Sequence, residues 1–272
     1  FTATNASNVL NTTAHGLSNN DRVILTSNSS NERDANTQFL CHFNGADAST
    51  TITDEIGHAM SAVGNAQLDT AITKFGTATL LLDGTGDGVV SDTVSADFTP
   101  GTGDFTAEAW IRPATIGTNM MIVGNTTTTT ATTVWRFYLN ATGFISYGSS
   151  VAIKLTSSGH TAIAAGSWYH VSVNRISGTT TIYLDGVSVA TVADTNDYSL
   201  TEKLFVGKGV DGVPWNGHID EVIFVKGTGI RTAAFTPPTI AFDVKSLPVG
   251  LDSETAYHVV NKTANTFQVA AT

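Results

Sequence analysis

Cysteine is all but missing: Cys41 is the single one in 272 residues, which excludes an intrachain disulfide framework and any metal site built on several thiolates. It lies in the alternating run Gln38-Phe39-Leu40-Cys41-His42-Phe43, on one face with Phe39 and Phe43, and reads as a small core residue. Charge is scarce as well. Asp, Glu, Lys and Arg make up 13% of the chain, about half of the roughly 25% usual in soluble proteins. The balance is acidic, with 13 basic against 23 acidic residues and a net charge of −10. That sign disfavours electrostatic binding to bare nucleic acid or anionic lipid, so neither is expected as a partner. No apolar run reaches the ~18 residues of a membrane-spanning helix, and no charged-then-apolar leader opens the chain, so no membrane insertion is expected. The start at Phe1 predicts a processed product or a piece of a longer polypeptide.

Threonine takes the place of charge, filling about one position in six, with Ser, Asn and 25 Gly behind it. Its β-branch stiffens χ1 and favours a pleated surface over a helix. This composition excludes a helical bundle, a coiled coil and a disordered acidic tail, while an apolar fraction of 41% suffices for a core.

Period-two alternation runs through almost every patterned segment. Phe105, Ala107, Ala109 and Ile111 share one face of a strand; Trp135, Phe137 and Leu139 share another, opposite Val134, Arg136 and Tyr138. Val151-Ile153-Leu155 and Tyr169-Val171-Val173 repeat the pattern. Thr181 to Val189 reads as a hairpin whose Asp185-Gly186 pair supplies the positive φ values of a type I′ turn. Ile219, Glu221, Ile223 and Val225 are expected on one face, Asp220, Val222 and Phe224 on the other. Strands at roughly ten-residue intervals without helical patterns between them predict an all-β, antiparallel two-sheet jelly-roll sandwich. One short helical turn fits Gly229 to Phe235, and the Thr-rich stretch Thr126 to Thr133 fits an exposed loop or hairpin tip.

The middle of the chain, 37–243, carries Lys74-Phe75-Gly76, Leu82-Asp83-Gly84-Thr85-Gly86-Asp87, Gly103-Asp104-Phe105-Thr106-Ala107-Glu108-Ala109-Trp110-Ile111, Trp168-Tyr169-His170-Val171, Tyr183-Leu184-Asp185-Gly186, Gly217-His218-Ile219-Asp220-Glu221-Val222 and Phe235-Thr236-Pro237-Pro238. In this order these motifs resemble the laminin-G-like, concanavalin-A-like lectin/glucanase jelly rolls. The flanks differ in style. His15-Gly16-Leu17 with Leu247-Pro248-Val249-Gly250-Leu251 and Thr255-Ala256-Tyr257-His258-Val259 resembles a small β module of phage virion proteins, its two parts here separated by the jelly roll. Residues 1–28 plus 244–272 are therefore expected to form one small discontinuous β domain for particle attachment, with the jelly roll inserted between about Ser27–Asn36 and Ala241–Val244.

The resemblance raises hydrolysis, for which glucanases of this fold use a Glu-x-Asp-x-x-Glu arrangement of paired carboxylates. The nearest stretch is His218-Ile219-Asp220-Glu221-Val222-Ile223, where His218 and Ile223 stand in the two Glu positions, so no enzyme is expected. The seven His residues are scattered and read as surface or hydrogen-bonded sheet residues. The resemblance also implies one structural Ca²⁺, with Asp54, Asp83, Asp87 and Asp220 as candidate ligands; Asp83-Gly84 and Asp87-Gly88 read equally as plain turns. Trp110 and Trp168 fall on the family's structural strands. Trp215, after Pro214 in a turn-rich stretch, is the first candidate for an exposed glycan platform, with Trp135 and Tyr147 behind it; packing over a sheet edge is the competing reading. Together these features predict a structural protein of a tailed-phage virion (capsid decoration, tail or fibre) on the particle exterior. Its expected partners are other virion proteins, copies of itself and cell-surface glycans. A secreted or surface-anchored bacterial carbohydrate-binding or adhesion module is the alternative.

Overall fold

The computed structural model describes residues 2–4, 9–11, 16–24, 36–126, 132–149, 151–209, 212–242, 256–260, 263 and 266–271. The expected junctions at 27–35 and 243–244, His15, the Leu247-Pro248-Val249-Gly250-Leu251 motif and residues 127–131 of the Thr-rich stretch lie outside them. In chain order the strands are β1 (Thr2–Thr4), β2 (Val9–Asn11), β3 (Arg22–Ile24), β4 (Thr37–Cys41), β5 (Met60–Val63), β6 (Gln67–Asp69), β7 (Thr79–Asp83), β8 (Gly88–Ser91), β9 (Phe105–Pro113) and β10 (Met120–Gly124). They continue as β11 (Arg136–Leu139), β12 (Ile145–Gly148), β13 (Ile153–Thr156), β14 (Tyr169–Ile176), β15 (Thr179–Leu184), β16 (Val187–Ala193), β17 (Phe205–Val206), β18 (Asn216–Lys226), β19 (Ala256–Val260) and β20 (Thr266–Ala271). Among the described residues no helix is long and apolar enough to cross a membrane.

The chain divides into two compact units, Phe1–Arg33 with Asp243–Thr272, and Asp34–Phe242. The smaller is one antiparallel sheet in the order β1-β2-β20-β19-β3, so its middle strands come from the C-terminal end of the chain and its outer ones from the N-terminal end. The turn before β3 is tied to it by Asn20 N–H donating to Val259 O at 2.8 Å and Val259 N–H to Asp21 O at 2.9 Å.

The larger unit is a sandwich. One sheet runs β13-β12-β11-β10-β17-β8-β5 and the other β16-β15-β14-β9-β18-β7-β6, with β4 added against β18. The alternation read from the sequence decides what lies between them. Phe105, Ala107, Ala109 and Ile111 of β9 and Val171 and Val173 of β14 meet Phe137, Leu139, Ile145 and Tyr147 of the opposite sheet, all fully buried. Each large side chain removed from water in this way contributes about 1.5–3 kcal/mol. At the β15–β16 hairpin Asp185 and Gly186 take φ values of 47° and 78°, as a type I′ turn requires.

Two local expectations are corrected. In β18 a bulge lies between Asp220 and Ile223, and Glu221 adopts φ 51°. The extra residue rephases the strand, so Ile219, Val222 and Phe224 face the core. The bulge lies where the neighbour of β18 changes, from β7 along Asn216–Ile219 to β4 along Val222–Val225. Gly229 to Phe235 forms no helical turn, because its backbone bonds to the sheet instead: Ile230 N–H donates to Thr106 Oγ1 at 2.9 Å and Arg231 N–H to Asn174 Oδ1 at 3.1 Å. Among the described residues the one helical element is a 3₁₀ turn, Ala96–Phe98.

Candidate functional site

The three aromatic side chains expected to meet glycans are all fully buried. Trp215 is no exposed platform. Its N–H donates to Gly207 O at 2.7 Å, and Val213 O accepts from Met121 N–H at 2.9 Å, so the Pro214 turn is stitched to its neighbours and the indole points into the core. Trp135 donates from Nε1 to Phe98 O at 2.8 Å and stacks on Phe224 with ring centres 4.9 Å apart. Tyr147 packs on Phe105 and Tyr198, each at 5.6 Å. A buried ring offers no face to a sugar.

The four candidate calcium ligands do not converge. Asp54 accepts from the N–H groups of Leu40, Ile56 and His58 and lies 2.6 Å from His58 Nδ1. The other ring nitrogen of His58 reaches Asp97 at 3.1 Å. Burial lowers the His58 pKa, but these two carboxylates outweigh it and hold the imidazolium above its ordinary value. Asp83 and Asp87 close the turn between β7 and β8: Asp87 accepts from Asn65 N–H and Asp83 N–H, and Asp83 accepts from Thr85 N–H and Asn65 Nδ2. Asp220 accepts from Phe75 N–H and Glu221 N–H, and burial pushes its carboxyl up to about 8. Glu221 is occupied by His42 Nδ1 at 2.8 Å and Phe242 N–H at 2.6 Å. Among the described residues no group of three or more His, Cys, Asp or Glu side chains is placed to hold a metal ion. The carboxylates, bonded to N–H groups of the protein and spread over separate places, do not fit a calcium cage.

Two concave sites are lined by described residues. The first, about 220 Å³, is lined by Asn174, Ile176, Thr179, Thr181, Tyr183, Arg231 and Thr232. Its polar groups are turned to internal work. Arg231 clamps the buried Glu108 with Nε–Oε1 at 2.6 Å and Nη2–Oε2 at 2.8 Å. Burial alone would raise the Glu108 pKa; Arg231 and His170 override it and bring it to about 2. Asn174 accepts from Thr106 Oγ1 and donates to Ser172 Oγ, both at 2.6 Å, and Tyr183 OH donates to Arg231 O at 3.3 Å. This network fastens the 229–235 segment over the sheet.

The second site is an open groove of about 370 Å³ at the sandwich rim, lined by Thr132, Thr133, Ser149, Ala152, Asn196 and Asp197. Its described lining comes from three places: Thr132 and Thr133 ahead of β11, Ser149 and Ala152 between β12 and β13, and Asn196 and Asp197 after β16. Thr133 stands two residues before Trp135 and Ser149 two after Tyr147, so the buried rings anchor the ends of the groove's walls. The third wall is set by Arg175. Though fully buried, it spends all three arms on carbonyls: Nε to Gly103 at 2.7 Å, Nη1 to Asn196 at 2.8 Å and Nη2 to Gly101 at 2.6 Å. Its guanidinium plane lies over Phe105 and Tyr198. Gly101 and Tyr198 exchange two backbone bonds of 3.1 Å, and Asp194 accepts from Thr180 Oγ1 and Asn196 N–H. Asn196 and Asp197 are thus held on a braced turn with their side chains exposed. Among the described residues the Asp197 carboxylate and the Thr132 and Thr133 hydroxyls have no partner. Small hydroxyls, an amide and a carboxylate on rigid backbone suit the hydroxyl groups of a sugar. The sequence reading missed this groove; its one local signal is the polar run Asp194-Thr195-Asn196-Asp197 between strands.

A family model described as the concanavalin A-like lectin/glucanases superfamily matches residues 83–228. No curated protein sequence matches the chain. Among solved structures, domain 4 of AbnA, an extracellular GH43 arabinanase of Geobacillus stearothermophilus in complex with arabinotriose, aligns with TM-score 0.55 at 16% identity, over 75% of this chain and 100% of that one. The botulinum neurotoxin serotype D binding domain gives 0.52 at 15%, over 72% and 49%. A Trypanosoma rangeli sialidase in complex with 2,3-difluorosialic acid gives 0.52 at 14%, over 78% and 35%. The chain therefore spans about half of the toxin domain chain and about a third of the sialidase. At these identities the likeness is one of fold.

Proposed function

The chain belongs to the concanavalin A-like lectin/glucanase superfamily, and from that premise we propose that its jelly roll binds carbohydrate without cleaving it and is displayed on the exterior of a tailed-phage virion. The observation that carries the binding half is the rim groove, where the Asp197 carboxylate and the Thr132 and Thr133 hydroxyls, without internal partners, stand beside the exposed Asn196 amide. The arabinanase domain with the same fold was solved with a neutral trisaccharide. The absence of hydrolysis is supported by where the perturbed carboxylates sit. Glu108 and Asp220, the two whose environments shift them furthest from an ordinary carboxylate inside the sandwich, are fully buried and bonded to protein groups. A glycosidase needs two carboxyl groups facing one bond of a bound sugar.

The virion half is supported by the flanking motifs and by the single sheet the two ends of the chain make together, which we read as the attachment module. The alternative, a secreted or surface bacterial binding module, is favoured by the bacterial origin of the arabinanase domain. Particle fractionation separates the two: a virion protein co-purifies with particles at fixed stoichiometry, a secreted module does not. Binding is tested by a glycan array probed with the full chain, paired with a reducing-sugar assay on every bound polysaccharide. The proposal expects hits without release of reducing ends; a blank array refutes carbohydrate binding, and sugar release refutes the non-catalytic reading.

A further inference from the structure

Resting on the carbohydrate-binding reading, we infer that the rim groove selects uncharged glycans and rejects those bearing sialic or uronic acid. Among the described residues the groove is lined by one carboxylate, Asp197, and by no cation. The described residues beside that lining, 132–134, 151–153 and 195–199, include no Lys or Arg. Three basic groups flank these residues and are engaged elsewhere; the Arg136 guanidinium lies over the Tyr138 ring. Arg175 lies behind the wall, fully buried, with its arms on the carbonyls of Gly101, Gly103 and Asn196. Lys154 sits 3.6 Å from the buried Asp194 carboxylate. A sugar carboxylate entering the groove would meet Asp197 with nothing to compensate it, in a chain whose net charge is already −10. Like charges brought together in this way raise the free energy of the complex and steer such ligands away.

The same carboxylate is well suited to a neutral sugar. Its two oxygens accept a pair of O–H donors from neighbouring hydroxyls, charge-assisted bonds stronger than neutral ones. The flanking Thr132 and Thr133 hydroxyls donate or accept as the ring requires, and Asn196, whose Nδ2 also donates to Tyr198 OH at 3.4 Å, offers its Oδ1 as an acceptor. Among the described residues no exposed aromatic lines the groove, so selection rests on this hydrogen-bonding pattern and on charge.

The test uses the full chain and matched probes on an array and by titration calorimetry: lactose against sialyllactose, and a neutral arabino-oligosaccharide against oligogalacturonate. Binding confined to uncharged probes is expected, weakened about tenfold or more, ~1.4 kcal/mol, by Asp197→Asn. Asp197→Lys should bring in the anionic partner of a matched pair. Asp197 is exposed, so both variants should keep the wild-type melting temperature. Wild-type preference for the acidic probes overturns the inference while leaving carbohydrate binding intact. Neutral binding that ignores both Asp197 substitutions overturns the assignment to this groove. Failure of every probe, with a blank array, removes the carbohydrate reading itself.

Discussion

Nη1 of Arg175 donates to the carbonyl oxygen of Asn196 across 2.8 Å, a bond to the backbone made by a side chain from the end of a buried strand. Through it a core residue sets the position of the exposed turn that carries Asp197. Arg175→Lys leaves one compact ammonium to serve three carbonyls fixed around a planar fork. We expect the variant to fold with lower stability and to lose about tenfold in glycan affinity. Arg175→Met, which removes three hydrogen bonds and leaves the Gly101 carbonyl only its bond from Tyr198 N–H, should cost about 3 kcal/mol at roughly 1 kcal/mol each. Urea midpoints and titration calorimetry read both; affinity that persists in Arg175→Lys would show that the turn is held by other means.

Stability should peak on the acid side of neutral. Glu108 has its folded value at about 2, below its ordinary 4.5, so its contribution is present above 4.5 and lost as pH falls through 2. Asp220 runs the other way: raised to about 8 from 3.8, its contribution is complete below 3.8 and lost as pH rises through 8. His42 and His58, raised above 6.5 by Glu221 and by Asp97 and Asp54 against the opposing effect of burial, add to the loss on the alkaline limb. Melting temperatures measured from pH 3 to 9 should fall on both sides of the maximum. Asp220→Asn should flatten the alkaline limb, and a variant with the wild-type slope there would contradict the assignment to Asp220.

Trp215→Ala should act on the fold alone. Removing a fully buried indole costs about 3–5 kcal/mol through lost burial and a residual cavity, so the melting temperature drops while the folded fraction binds glycan with unchanged affinity. A selective loss of affinity at wild-type stability would return Trp215 to the binding surface.

Chelation should leave the protein unaltered. With the candidate carboxylates bonded to N–H donors and, among the described residues, not gathered together, melting curves in excess EDTA and in millimolar calcium should coincide. A ligand of the native state would raise the midpoint by mass action, and such a rise would overturn this reading.

What was legible in the sequence is what repeats. The two-residue period assigns Phe105, Ala107, Ala109 and Ile111 to the core, and Asp185-Gly186 names its own turn, because both are local rules of backbone geometry. The bulge in β18 is a single extra residue whose cause is tertiary: the strand changes neighbours there, and Glu221 bonds to His42 and Phe242, which lie 179 and 21 residues away. Trp215 follows a proline and resembles a loop residue, yet the direction of its ring is fixed by Gly207 and Met121, distant in sequence. The rim groove was hidden for the same reason. Its residues are ordinary Thr, Ser, Asn and Asp, drawn from three connections, and they become a site when Arg175 and the two buried aromatic anchors bring those connections to one end of the sandwich.

The most direct test of the account is to map bound sugar onto the full chain by nitrogen-15 chemical shifts during titration with a neutral oligosaccharide. The account predicts that the amides of Thr132, Thr133, Ser149, Ala152, Asn196 and Asp197 shift together and saturate at one ratio. Shifts gathered instead around Tyr183 and Arg231, or none at all, would contradict it.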